Sequence, residues 1–251
     1  MTATKPDRPS DTQGWARPVD KLTTTATTRT VDTVTGRRVA GPVQGFGQLW
    51  QKTFSVRLAG TDHDPEAVVA WWKERFPTFW PKTARFYSPL SGIKPGEVAL
   101  LDLPTVGSAP VKMSTGVLVI YADRESFTFM TPQGHALAAW ITFSAFRDGD
   151  ATVAQAQALE RTSDPFIELS YLVGFNREND KFWEATLANL AVSLGVTSPV
   201  VRTQKICVDK RRQWKYVRNV RYSPVISTTV STVTAPARWV RRRRTGGPGP
   251  G

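Results

Sequence analysis

Asn179-Asp180-Lys181-Phe182-Trp183-Glu184-Ala185-Thr186-Leu187-Ala188-Asn189-Leu190-Ala191-Val192-Ser193-Leu194-Gly195 is the stretch on which the reading of this chain turns. Trp183, Leu187, Leu190 and Leu194 recur at i, i+4, i+7 and i+11, which sets them on one stripe of an α-helix. Gly195 is a fitting stop. The helical region opens upstream at Asp164-Pro165, a capping carboxylate followed by proline at the first helical position. Phe166, Leu169 and Leu172 then lead to Gly174, so the pattern allows one kinked helix or two consecutive ones. Roughly thirty residues at about 1.5 Å each reach about 45 Å, enough to cross a whole sheet.

Moving outward toward the N-terminus, the chain reads as strands. Trp50, Phe54, Val56 and Leu58 fall on one side of a period of two, with Gln51, Thr53, Ser55 and Arg57 opposite. Asp64-Pro65 opens a helix carrying Val69, Trp72 and Phe76, and Pro77 closes it. Residues 79–89 are aromatic and broken by proline, and read as a packed loop or a second short helix. Further strands are expected over Glu97–Leu103, Thr115–Tyr121, Ser126–Thr131, Leu137–Phe146 and Ala151–Arg161. Pro132-Gln133-Gly134 and Asp148-Gly149-Asp150 supply the turns between the last three. In the last strand Ala154, Ala156 and Ala158 share a face and leave room for a helix to lie close. The fold class expected is α+β, an antiparallel meander with one face to bury.

Charge divides the chain. Among 251 residues the net charge is +12, yet residues 41–198 hold 13 basic and 16 acidic side chains. Residues 199–251 hold 13 basic and one acidic. The expected organisation is therefore a disordered arm over 1–40, a globular domain over 41–198 and a basic extension over 199–251. Thr23–Thr28 is a low-complexity run with few apolar groups to offset ordering entropy. One cysteine, Cys207, excludes an intrachain disulfide and a cysteine-based zinc cluster, and fits a reducing compartment. No secretory signal and no run of about 18–20 apolar residues is present, so the expected location is the cytoplasm, with peripheral contact to a membrane through the extension.

The order strand, helix, antiparallel strands and long C-terminal helix resembles the helix-grip superfamily (START-like, birch-allergen-like, SRPBCC). Thr131-Pro132-Gln133-Gly134-His135, Trp140-Ile141-Thr142-Phe143-Ser144-Ala145 and Ser163-Asp164-Pro165-Phe166-Ile167-Glu168-Leu169 are similar to stretches of bacterial members. The resemblance covers about residues 43–196 and implies a curved antiparallel sheet wrapped around the last helix, with an apolar cavity between them. It names no ligand, because the fold hosts carriers, cyclases and hydrolytic enzymes alike. The residues expected to bind a ligand are Trp50, Phe54, Phe129, His135, Trp140, Phe143, Tyr171 and Phe175. A polyketide cyclase or aromatase-like enzyme in the same cavity would require His135, or another titratable group, to point into it.

No Gly-rich phosphate loop, His-Glu-x-x-His or Gly-x-Ser-x-Gly occurs, so no cofactor and no metal are expected. Anion contacts are expected from the basic extension, at Arg211 and Arg212 and at Arg241, Arg242, Arg243 and Arg244 beside Trp239. Ile226, Val230, Val233, Ala237 and Val240 also fit a helical stripe, against which β-branching and Pro236 weigh. The partners expected are a small apolar ligand and an anionic membrane surface, with nucleic acid a weaker alternative.

Overall fold

The computed structural model describes residues 33–34, 37–104 and 112–223. Trp239, Arg241–Arg244 and the stripe from Ile226 to Val240 lie outside the described residues.

The first long strand, β1 (Leu49–Arg57), forms where the alternating pattern begins, and its Phe54 and Val56 are buried. Helix α1 (Pro65–Arg75) follows, with the Asp64 carboxylate accepting from the Glu66 amide at 3.0 Å. A short 3₁₀ turn over Phe76–Phe79 ends it, since Pro77 lacks the N–H that an α-helix needs. Strands β2 (Arg85–Tyr87), β3 (Val98–Pro104), β4 (Lys112–Ala122), β5 (Ser126–Met130), β6 (Leu137–Asp148) and β7 (Ala151–Thr162) come next. β2 falls inside the region expected to be loop or helix. The tight turn between β6 and β7 relies on Gly149 at a φ of 62°.

The C-terminal helical region is two helices. Asp164 caps α2 (Pro165–Ser170) by accepting from the Phe166 and Ile167 amides at 2.8 and 3.1 Å. A single π-turn over Tyr171–Phe175 then interrupts it, and Gly174 takes a φ of 129° that a side-chain-bearing residue resists. The long helix α3 runs over Asn176–Ser193.

One further strand, β8 (Val201–Asp209), pairs with β1 from Val201↔Val56 to Cys207↔Trp50. The sheet therefore has eight antiparallel strands in the order β8-β1-β7-β6-β5-β4-β3-β2. The first part of the basic extension is thus an edge strand of the sheet. The extension stays docked beyond it. Trp214 meets Phe46 edge-to-face at 5.2 Å, and the Asn219 amide donates to the carbonyls of Gln44 and Ser163 at 2.9 and 3.0 Å.

Period two gives the sheet two faces. The inner face carries Phe54, Val56, Phe127, Phe129, Phe143, Ala154 and Ala156, all buried in one cluster with Trp72 of α1 and Leu187, Leu190, Ala191 and Leu194. The helical stripe thus rests on the inner face, and the small alanines of β7 leave room for it. Phe76 is the hub of the cluster, with ring centroids 4.8, 5.6, 5.3 and 5.0 Å from those of Phe86, Phe127, Phe129 and Phe143. An antiparallel sheet gripping its last long helix is the helix-grip fold.

Candidate functional site: a cavity between sheet and helix

A cavity of about 570 Å³ lies between the inner face of β3–β7 and α3. Its wall is mostly apolar, with Phe86, Leu101, Val117, Phe129, Ile141 and Trp183 prominent. It exists because the helical stripe changes character along α3. Leu187 and Leu190 meet the alanines and aromatics of the sheet and exclude solvent there. Toward the start of α3, the wall passes to Phe175, Glu178, Asn179 and Phe182.

One end of the cavity is polar. Glu160 lines it and is 2 % exposed. Behind it Lys52 is completely buried, with its ammonium 2.7 Å from Asn176 Oδ1, 2.7 Å from Asp180 Oδ1 and 2.9 Å from Glu160 Oε1. Three acceptors use all three ammonium hydrogens, so Lys52 is satisfied as a charged, structural group. Asp180 is shared, since its Oδ2 accepts from Lys205 at 2.6 Å. This relay clamps α3 to β1, β7 and β8. The Tyr171 hydroxyl also donates to Glu160 Oε1, and burial, then the Glu160 charge, pushes its pKa well above the ordinary tyrosine value. Both donors reach Oε1; among the described residues none is bonded to Oε2.

His135 is in the same wall and is 8 % exposed. It also borders a shallow dent on its other side, beside Asn219 and Tyr222. The Leu137 amide donates to His135 Nδ1 at 3.0 Å, and the Leu137 carbonyl lies 3.1 Å from the same nitrogen. An amide cannot move its hydrogen whereas an imidazole can, so the tautomer that keeps the amide bond carries its proton on Nε2. Among the described residues no acceptor meets Nε2. Burial pushes the His135 pKa down to about 4, against a smaller upward pull from the Leu137 carbonyl and the Glu160 charge. The ring is therefore neutral at pH 7.

Of the eight residues expected to bind a ligand, the structure brings Phe129, His135 and Phe175 together in the cavity wall. Phe54 and Phe143 are wholly enclosed in the neighbouring core, Phe143 against Trp72 at 5.1 Å. Tyr171 stands one shell back, holding Glu160. Trp50 is half-buried and pairs with Glu160 across the sheet without lining the cavity. Trp140 packs on Leu49, Leu159 and Val208 on the outer face. Trp140 therefore faces outward while Phe143 faces inward, because residues three apart on a strand cannot share a face.

Glu160, Trp80 and Phe86 line the cavity and escaped the sequence reading. For Glu160 the signal was present, because the alternation through Ala154, Ala156 and Ala158 points the next even position inward. Phe86 sits on the short β2, which has no sequence pattern of its own.

The expected anion contacts fare unequally. Arg212 Nε lies 2.9 Å from Glu168 Oε1, so its charge is already matched. Arg211 is exposed, with its amide donating to Asp209 Oδ1 at 2.9 Å. Burial pushes the Cys207 thiol up rather than toward thiolate, despite Lys210 and Arg161 nearby. Among the described residues no group of three His, Cys, Asp or Glu is arranged to hold a metal, and no helix is long and apolar enough to cross a membrane.

No protein-family model matches this chain, and no curated protein matches it. Several solved structures are similar to it at low identity. Protein Ms6760 from Mycobacterium smegmatis is 12% identical with a TM-score of 0.41, over 59% of this chain and 92% of that one. Major latex-like protein 151 from Panax ginseng is 12% identical with a TM-score of 0.41, over 60% of this chain and 100% of that one. The di-domain ARO/CYC StfQ from the steffimycin biosynthetic pathway is 11% identical with a TM-score of 0.43, over 58% of this chain and 50% of that one. On the strand order of its own sheet and the helix that sheet grips, the chain has the helix-grip fold.

Proposed function

We propose that this protein binds a small, largely apolar molecule in the cavity between its sheet and α3. The observation that carries the reading is a hollow of about 570 Å³ with a mainly apolar wall, set inside a core that is otherwise closely packed. Protein interiors seldom leave space of that size, and ligand pockets fall at about 300–1,000 Å³. Native mass spectrometry after exposure to mixed lipids tests it. A retained adduct is expected from the wild type and none from Ala139→Phe, whose added ring grows into the cavity from β6. A wild type that retains nothing and gives no shift with any apolar probe would overturn the reading.

A second reading is an enzyme of the polyketide cyclase or aromatase kind. It is favoured by one observation: a histidine in the cavity wall held neutral, with its pKa pushed down to about 4. Turnover of a linear poly-β-ketone that disappears in His135→Asn would support it; unchanged turnover in that variant, or none in the wild type, would remove it.

The basic segment is proposed to touch an anionic lipid surface. Lys210, Arg211, Lys215, Arg218 and Arg221 are exposed there beside exposed Trp214 and Tyr222. Each cation at such a surface contributes roughly 1 kcal/mol. Co-sedimentation with phosphatidylserine vesicles that fails with phosphatidylcholine and fades with salt is the expected result. Retention on nucleic acid with none on vesicles would assign the segment to that polyanion instead.

A further inference from the structure

We propose that the polar end of the cavity selects a neutral hydroxyl group, with Glu160 Oε2 accepting from it and His135 Nε2–H donating to it, so that the ligand is an apolar alcohol or phenol rather than a carboxylic acid. This rests on the cavity being a binding site and specifies what enters it. Three features carry it. Glu160 has one oxygen saturated by Lys52 and Tyr171, while the other is met by no described residue although the side chain lines the cavity. His135 is more than nine-tenths buried, is fixed through Nδ1 by the Leu137 amide, and has no described partner at Nε2. Lastly, His135 and Glu160 line the same cavity, and Ala139, which pairs with Glu160 across the sheet, is only four residues from His135.

A hydroxyl is the smallest group that can give one hydrogen bond and take another. It answers both vacancies at once. A ligand carboxylate would instead bring a negative charge to a buried carboxylate whose own neutralising lysine is fully occupied. An amine would satisfy Glu160 but has no lone pair left for His135 once protonated. Lys52 is excluded as a ligand contact, since its three hydrogens are committed.

The test uses the full chain and four bicyclic probes that fit a cavity of about 570 Å³: 2-naphthol, 2-methoxynaphthalene, naphthalene and 2-naphthoate. Affinities are read by calorimetry or probe fluorescence at pH 7. A hydrogen bond to a charged group is worth about 1.5–3 kcal/mol, so 2-naphthol should bind about tenfold to a hundredfold more tightly than its methyl ether, with 2-naphthoate weaker than both. Glu160→Gln should shrink the advantage of naphthol over the ether and raise the affinity for naphthoate. His135→Asn offers a second route, because its side-chain oxygen can keep accepting from the Leu137 amide while the cavity loses Nε2; there the ether should lose affinity toward that of naphthalene. Equal binding of naphthol, ether and naphthalene by the wild type overturns the hydroxyl proposal and leaves the apolar cavity intact. Tighter binding of naphthoate overturns it as well. Binding of none of the four overturns both.

Discussion

Glu160 and Arg161 are neighbours on β7 and point to opposite faces of the sheet, and the two buried ion pairs they form are built for different ends. On the outer face Arg161 is 1 % exposed and reaches Asp209 at 2.5 Å. It also donates to the carbonyls of Gly47 and Arg211. Asp209 is filled in turn by the Arg211 amide and Gln213. This cluster joins the chain before β1 to the segment after β8, and no oxygen of Asp209 is left over. On the inner face Glu160 shares one oxygen between two donors and holds the other against a cavity. Burial alone therefore says little about what a charge does. A pair whose carboxylate is filled is a staple, even though Arg161 Nε has no partner among the described residues, whereas a pair with a carboxylate oxygen to spare beside a hollow can meet a ligand.

Removing one partner of the outer pair should give the largest effect. Asp209→Ala strands a buried guanidinium, and broken buried pairs typically cost about 3–5 kcal/mol. Urea denaturation is expected to show a loss of that size, with apolar-probe affinity unchanged once the protein is folded. Loss of probe binding in a folded Asp209→Ala protein would erase the distinction between the faces.

The next effect is a pH dependence confined to the inner face. His135 titrates near 6.5 in the unfolded chain and at about 4 in the fold. Above pH 6.5 both states are neutral and its contribution is fully present. As pH falls, the unfolded chain takes a proton that the fold refuses, so stability drains away until the folded pKa is passed. The full span corresponds to about 3 kcal/mol. Other carboxylates titrate in the same window, so the measurement is the difference between wild type and His135→Asn in urea midpoints at pH 7 and pH 4.5. The wild type should lose more; parallel losses would mean that burial does not hold the ring neutral.

Much of this architecture was legible from residue spacing, and the failures have physical causes. Strong alternation in β1 and β7 and the stripe of α3 gave element types because each has one face to bury. β2 was missed because a strand of three residues carries too few positions for a period to show. β8 lies within the basic extension, where only its Lys205–Val208 part reads as a short strand, because Arg202, Gln204 and Lys205 are exposed on an edge strand, where charge is expected. The cavity itself was legible only as a consequence of fold resemblance. Which aromatics face it depends on strand register, and counting from Trp140 to Phe143 separates the faces without any structure.

The smallest effect sharpens the inner pair from behind. Tyr171→Phe removes one of the two donors on Glu160 Oε1 and leaves Lys52 in place. Because the carboxylate keeps its cationic partner, the expected cost is about 1–2 kcal/mol in urea denaturation rather than the loss for a stranded charge. Oε2 is untouched by this change, so the preference for 2-naphthol over its methyl ether should survive. If anything it should strengthen, since a carboxylate relieved of one donor is a better acceptor for the next. Should the preference vanish in a folded Tyr171→Phe protein, the hydroxyl of Tyr171 would itself be the contact. The selective atom would then belong to the π-turn instead of β7.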